Sequence, residues 1–391
     1  MSYRTVFSYL PYLFALGAFA LYVVPARYRV RGQALWLMLI VLAAAKFTCF
    51  AAFGGDLFEP NLPAPVIWTW DFLYSGMVLL TALSLAWCVV TLPFGCVRKR
   101  AARFVRVALP VAAWSLSAWG VWNGVRPPDV VAVEFAYPDL PASLDGYRVV
   151  QLTDLHISSA APKWRTAEVV ARVNALKPDL VCLTGDLADG DLGRIWRNVM
   201  PLGDLAARDG VYAVTGNHEY YGDWFHWRDV YERCGLRFLH NECVFPRAGL
   251  ALAGVNDDAC ERVRSRKRPD VGRAFAAATN GEFRVLLQHR PRPADGNAQR
   301  HGVRLQLSGH THGGIAPGLD LYVATFNGGY VHGVYELPAK NAARLYVSRG
   351  TGQWAGFPIR FFNPSEITLL TLRREAHGEK GNERRIHDEG E

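Results

Sequence analysis

The sequence predicts a mixed α/β domain behind an apolar helical region of about four membrane spans. Three observations carry that prediction. Four long apolar stretches lie within the first 125 of 391 residues, short apolar runs alternate with amphipathic stretches from about residue 130 onward, and conspicuous polar residues recur where those runs end. Strands show a period of two or a continuous apolar run and surface helices a period near 3.6, so the alternation of the two is an α/β signature.

The apolar stretches cover roughly residues 6–24, 34–53, 66–93 and 104–122, each near the ~20 residues a helix needs to cross the hydrocarbon core. Soluble helices of that length carry a polar face, which these lack. The first stretch does not read as a cleaved leader, since only Arg4 precedes it and no small-residue cleavage site follows. Arg27, Arg29 and Arg31 sit in the link after the first span, and Arg98, Lys99, Arg100, Arg103 and Arg106 after the third; the link between the second and third holds Asp56 and Glu59 and no Lys or Arg. The positive-inside rule then places the two basic links in the cytoplasm, and both termini with everything beyond residue 123 on the extracytoplasmic side. Lys46 and Asp71 fall inside spans, where ionisable groups are expensive and either pair or serve a function. The organisation that follows is a transmembrane helical region over 1–125, a linker opening with "GVRPPDV" and a first strand over 126–144, the α/β domain over 145–372, and a charged, disordered tail over 373–391.

Residues 1–125 hold ten Lys or Arg against three acids, which is almost the whole of the chain's +8. The remainder is nearly neutral, which removes the usual reason to expect nucleic acid as a partner. Of the seven cysteines, Cys49, Cys88 and Cys96 lie in or beside the spans and Cys182 in a core strand. Cys234, Cys243 and Cys260 could include one disulfide in an exported domain, and none of the seven has zinc-site spacing.

Strands are expected at 147–152, 179–185, 211–216, 250–255, 283–289 and 303–309, with helices at 165–176 and 193–207. At the ends of these strands come Asp154 and His156, Gly185 and Asp186, Gly216 to Glu219, His289, and Gly309 to His312. In open α/β sheets that edge is where ligands bind. Asp154 and His156, two apart, would point to one face if still on the strand. The glycines are expected to let the backbone turn sharply before each polar residue. Carboxylates, imidazoles and one amide form a mixed oxygen and nitrogen set suited to Mn, Fe or Zn, with enough members for two ions.

The stretches "TDLH", "GDLAD", "GNHE", "QHRP" and "GHTH" resemble the five motifs of the calcineurin-like metallophosphoesterases, and "LYVSRGTG" and "FNPSEITLLTL" resemble the end of a bacterial subgroup with N-terminal transmembrane helices. The resemblance covers roughly residues 145–372. It implies a β-sandwich flanked by helices, with a dinuclear metal centre on the strand-end loops. One metal would be held by Asp154, His156, Asp186 and His312, and a second by Asp186, Asn217, His289 and His310, with Asp186 bridging. Chemistry favours the same arrangement, because two ions about 3.5 to 4 Å apart can share a carboxylate and a hydroxide and stabilise both oxygens of an in-line displacement at phosphorus. His218 is then the candidate general acid or transition-state stabiliser, with Asp189 and Glu219 orienting the ligands. His226, His240, His301 and His332 lie off the motifs and read as ordinary surface or structural histidines. Ile315 stands where relatives often carry Gln, a departure that bears on substrate contacts and leaves the metal set intact.

The implied function is a membrane-anchored, dinuclear metal-dependent phosphoesterase acting on a phosphomonoester, phosphodiester or pyrophosphate. Its setting would be the bacterial inner membrane, with the catalytic domain outside. A non-catalytic binding or sensor module on the same fold is the alternative. Transport is disfavoured by the lack of an inverted repeat. Arg262, Arg264, Arg266, Lys267 and Arg268 form a basic run between two ligand-bearing strands; close to a bilayer such charges draw anionic head groups, which points to a membrane-associated, lipid-linked phosphate as substrate.

Overall fold

A computed structural model describes residues 3–375 apart from 27, 54–56, 94, 223, 263–266, 317, 355 and 357–358, and the side chains of 3–4 and 95–103 are also outside the description. Arg264, Arg266 and tail residues 376–391 therefore lie outside the described residues, as do Arg27, Asp56 and the side chains of Cys96, Arg98, Lys99, Arg100 and Arg103.

Among the described residues three helices are long and apolar enough to cross a membrane: α1 (Thr5–Ala26), α4 (Ala64–Thr91) and the Phe104–Val125 part of α5 (Gly95–Val125). Between α1 and α4, α2 (Val30–Ala44) and α3 (Lys46–Ala52) meet at a 53° bend and make a fourth if taken as one broken span. Lys46 opens α3 at that bend, fully buried, and its ammonium pairs with Asp71 of α4 at 2.7 Å. The two intramembrane charges expected from the sequence are thus partners.

The α/β region contains two six-stranded sheets. Its strands are β1 (Asp129–Tyr137), β2 (Arg148–Leu152), β3 (Leu180–Thr184), β4 (Val211–Val214), β5 (Arg237–Phe238), β6 (Glu242–Val244), β7 (Leu250–Gly254), β8 (Phe283–Leu287), β9 (Leu305–Ser308), β10 (Gly333–Leu337), β11 (Ala343–Val347) and β12 (Glu366–Arg374). The first sheet runs β1-β12-β2-β3-β4-β5 and the second β10-β11-β9-β8-β7-β6. Within the first, β2 to β5 are parallel, and β12 is inserted between β1, which it parallels, and β2, which it opposes.

Parallel strands covered on both faces need apolar residues at every position, and β3, "LVCLT", is buried throughout. Cys182 and Val149 face inward, where Leu252, Val285, Leu287 and Leu307 of the second sheet meet them. Val181 and Leu183 face outward, under α6 (Lys163–Ala175), α7 (Leu192–Val199) and α8 (Trp224–Arg233), which supply Val169, Val173, Ile195, Val199, Trp227 and Tyr231. A fully buried side chain of this size contributes about 1.5–3 kcal/mol. The helix expected over 193–207 is shorter: α7 gives way to a 3-10 turn at Met200–Asp204 around Pro201, whose ring cannot sit inside an α-helix. Cys234, Cys243 and Cys260 are all free thiols.

The α/β region sits on the end of α5. Arg360 N–H donates to the Gly120 carbonyl (2.9 Å), Asn123 donates to Arg360 O (3.3 Å), and Arg165 of α6 donates to Gly124 O (2.5 Å).

Candidate metal centre

Every polar residue singled out from the strand ends lies at one mouth of the two sheets. Asp154 and His156 follow β2, Asp186 follows β3, and Asn217 follows β4; His289 follows β8, and His310 and His312 follow β9. Neither Asp154 nor His156 is on the strand, so pleat alternation is not what makes them converge. Asp154, His156, Asp186, His310 and His312 all have left-handed backbones, with φ between 43° and 72°, a region that non-glycine residues visit at a cost. Each of these five side chains is turned inward by a local left-handed kink, and neighbouring loops hold the kinks in place. Asp154 N–H donates to Gly185 O (3.0 Å) and His156 N–H to Asp186 O (3.1 Å), while Gly352 N–H donates to Asp154 O (2.9 Å).

The glycines serve packing more than turning. A Cβ on Gly216 would collide with the Asp186 carboxylate, and one on Gly309 with the Thr153 hydroxyl and the Asp154 carboxylate; only Gly185 of the three is left-handed (φ 91°). These positions lack a side chain because a ligand occupies the space.

Among the described residues three groups of side chains bring their donor atoms together: Asp154, His156 and His312; Asp186, His289 and His310; and His156, Asp189 and His218, the last sharing His156 with the first, while the first two hold the expected ligands. Asp186 Oδ2 lies 3.3 Å from His289 Nε2, 3.8 Å from His156 Nε2 and 3.9 Å from His218 Nε2, so it reaches toward both ligand groups. His312 Nε2 is 3.5 Å from Asp154 Oδ1. Two imidazole nitrogens face each other in each ligand group, His156 Nε2 with His312 Nε2 at 3.1 Å and His289 Nε2 with His310 Nδ1 at 3.2 Å. A single proton can be shared in each gap, whereas a divalent cation would satisfy both lone pairs and the adjoining carboxylate together. The donor set therefore fits two cations. Asn217 is buried beside the second group; Arg290 links the two by touching Asn217 Oδ1 (3.2 Å) and His310 Nε2 (3.1 Å) while its Nε donates to Asp257 (2.8 Å).

Supporting contacts fix these rings. Asp189 accepts from His156 Nδ1 (2.8 Å) and His218 Nδ1 (2.6 Å), which aims both Nε2 atoms at Asp186. His289 Nδ1 is held by Thr184 O at 2.8 Å. Glu219 accepts from three backbone N–H groups, those of Asp186 (2.9 Å), Leu187 (2.7 Å) and Gly216 (2.6 Å), and so ties the loops after β3 and β4 together.

Electrostatics follow from that crowding. Burial alone would raise the Asp186 carboxyl, yet the imidazoles of His289, His218 and His156 hold it well below the usual range. Burial disfavours charge on His218, but Asp189 and Asp186 raise its pKa to about 9. Glu219 is pushed up to about 7 by burial and by Asp186, against its three N–H donors. Burial lowers His310 and His312, helped by Arg290 at the first and by His156 and Arg360 at the second.

Sequence reasoning missed five contributors, Arg290 among them. Arg360, buried, approaches His312 Nδ1 at 3.1 Å and donates to the carbonyls of Gly352 (2.6 Å) and Arg349 (2.7 Å). Trp354 packs its ring edge-on to His218, with centroids 5.7 Å apart. Phe58 and Glu59 arrive from the link before α4: Phe58 packs on Trp354 at 5.1 Å, and Glu59 accepts from Ser159 N–H at 2.7 Å. Arg290 at least stood inside "QHRP"; the others sit in no motif. His226, His240, His301 and His332 stay outside the ligating groups, and His240 is held by Asn256 at 2.7 Å.

A family model for calcineurin-like phosphoesterases matches residues 147–314. A transmembrane protein with metallophosphoesterase domain from Danio rerio is 34% identical over 268 residues, 66% of this chain and 60% of that protein. This chain thus spans less than two thirds of that relative. Uncharacterised metallophosphoesterases of Helicobacter pylori (32% identical, 70% of this chain and 72% of the relative) and Campylobacter jejuni (30%, 77% and 80%) are similar over most of their length. The matched segment holds all seven expected ligands together with His218, and on this agreement the chain belongs to the calcineurin-like phosphoesterase family.

Proposed function

We propose that the protein is a membrane-anchored phosphoesterase that works with two divalent ions, Mn, Fe or Zn, held by the two ligand groups and bridged by Asp186. The observation that carries this is the position of Asp186 Oδ2, within 3.3–3.9 Å of imidazoles from both sides of the cluster. Bound there, the ions would supply Lewis-acid activation of a water and neutralise charge at phosphorus. The chain's own residues supply the rest. Asp189 orients His156 and His218, and His218 presents its Nε2 toward the reaction space, where it can give a proton to the leaving oxygen or stabilise charge on the phosphoryl group. Water's oxygen adds to phosphorus and gives up one proton to solvent, the ester P–O bond breaks, the leaving oxygen takes up the His218 proton, and His218 regains a proton from solvent. Support for catalysis over a sensor role comes from the completeness of the set: all seven ligands and the acid point into one space.

Membrane anchoring through four crossings is supported by which ends meet. Phe7 of α1, Phe58 and Glu59 lie beside Trp354 and Ser159 of the α/β region. Tyr22, near the end of α1, and Tyr28, in the first basic link, donate to the Arg106 carbonyl of the second (2.6 and 3.2 Å). One side of the bundle thus carries both basic links, and the other carries the metal centre. With the basic links in the cytoplasm, the centre faces outward. The test is metal analysis and hydrolysis of phosphomonoesters, diesters and pyrophosphates by the full chain in detergent. Two ions per chain and turnover of one ester class are expected, and a chain that binds no divalent ion would overturn the reading.

A further inference from the structure

The space in front of the ligands is a cavity of about 670 Å³, within the size range of small-molecule sites. One wall is a helix, α10 (Leu319–Phe326; α9 being Ala294–His301), none of whose residues is buried. Leu319, Tyr322, Val323 and Phe326 recur at i, i+3, i+4 and i+7 and line the cavity as a single stripe. Such a stripe normally faces a core. Here Tyr322 and Phe326 remain 66% and 54% exposed. The facing wall is Phe58 stacked near Trp354, so the apolar link before α4 completes a cavity whose other end carries His218, His310 and His312. The stripe also lies level with the end of the apolar helices. Ile315, just ahead of α10, accepts from Phe361 N–H (3.1 Å), and Phe361 and Phe362 pack on Trp119 of α5 with centroids 5.6 and 5.1 Å apart. Aromatic residues at that level are typical of the membrane–water interface.

We infer that the cavity takes the hydrocarbon chain of an amphiphilic phosphate ester. The phosphate would sit at the ligand cluster and the chain between the α10 stripe and the Phe58–Trp354 wall, entering from the bilayer side. The inference rests on the phosphoesterase reading and sharpens it: Tyr322, Phe326 and Phe58 set chain-length preference, and the helical region is part of the substrate site as well as an anchor. Ile315, at the foot of the stripe, suits this, because a polar side chain there would lose its water to an alkyl chain.

The full-length, Mn-loaded protein in nanodiscs is assayed with alkyl phosphates of two to twelve carbons and with their 4-nitrophenyl diesters. Burial of methylenes predicts that kcat/KM rises by at least about tenfold between two and eight carbons. Phe326→Ser should cut that rise by about threefold or more, whereas Leu321→Ser, on the same helix but off the stripe, should leave it. A dodecyl phosphate carrying a diazirine near its terminus should label residues 319–326 and Phe58, and unlabelled dodecyl phosphate should compete. Hydrolysis independent of chain length, with labelling confined to the spans, overturns the inference and leaves the phosphoesterase reading standing. Equal loss in Leu321→Ser also overturns it, because α10 would then act by general attachment to the bilayer. Competed labelling of α10 without turnover of any ester would remove the phosphoesterase reading and support the chain-binding cavity by itself.

Discussion

Buried charge is handled differently at the two ends of this molecule. In the helical region Lys46 and Asp71 form one pair at 2.7 Å, with the rings of Phe47, Phe50 and Tyr74 within 4.7–5.4 Å of the ammonium. The pair cancels its own charge. In the ligand cluster the balance is different: Asp186 faces three imidazoles, and imidazole nitrogens face one another across gaps of 3.1 and 3.2 Å. The backbone differs too, since the pair stands on regular helices while five ligands stand on left-handed kinks. The difference gives a criterion: buried charges that balance within the chain hold structure together, and buried charges that balance only with a guest mark a site.

The sharpest way to break the comparison is at Asp186. Asp186→Asn should release both ions and lower hydrolysis by more than about a thousandfold, the scale of several kcal/mol of lost charge stabilisation. Metal analysis still finding two ions would remove the bridging role. His218→Asn should lower kcat by about 10²–10⁴-fold with metal content unchanged; loss of metal would make His218 a ligand. At the other end, Asp71→Ala strands a buried ammonium and should destabilise the chain by about 3–5 kcal/mol in denaturant unfolding, whereas replacing Lys46 and Asp71 together by Met and Leu should come near neutral. If the double replacement is as damaging as the single, the pair does more than balance itself.

The smallest effect lies at the seam. Glu59 is buried against Ser159, and burial raises its pKa from 4.5 to about 8. Its contribution to stability is full below the unfolded value near 4.5 and is lost as pH rises through 8, because the unfolded chain ionises first. The melting temperature should therefore fall between pH 5 and 8, and Glu59→Gln should flatten that fall by a few degrees. An unchanged slope would place the titration elsewhere.

Much of the site was legible because strand ends leave a periodic trace. Runs such as "LVCLT" identify buried parallel strands, and the polar residues behind them identify the binding edge. The means of convergence was not legible, since Asp154 and His156 turn inward through left-handed backbone rather than a shared strand face. Nor was the reason for Gly216 and Gly309, which depends on carboxylates arriving from other loops. Arg360 and Glu59 are brought in by long-range packing that no local period records. In the basic run, too, local pattern does not record which residues meet. Arg268 pairs with Glu261 at 2.5 Å and Arg262 lies over the Tyr221 ring at 4.4 Å, so those two charges are already engaged within the chain.

The insertion of β12 between β1 and β2 governs when the domain can close. Asp129 directly follows the last apolar helix, yet its strand pairs with Glu366 and onward, and the same strand then zips to β2, whose end carries the first ligand. During synthesis β2 and β3 can pair early, but the edge of that sheet stays open until residue 374 has emerged, and Thr351, which ties the Asp154 loop from behind, arrives only shortly before. Pairing over such a sequence separation is slow. The helical region, with Phe58 and Glu59, has therefore emerged before the ligand loops can lock. The order of emergence alone holds back the assembly of the ligand cluster.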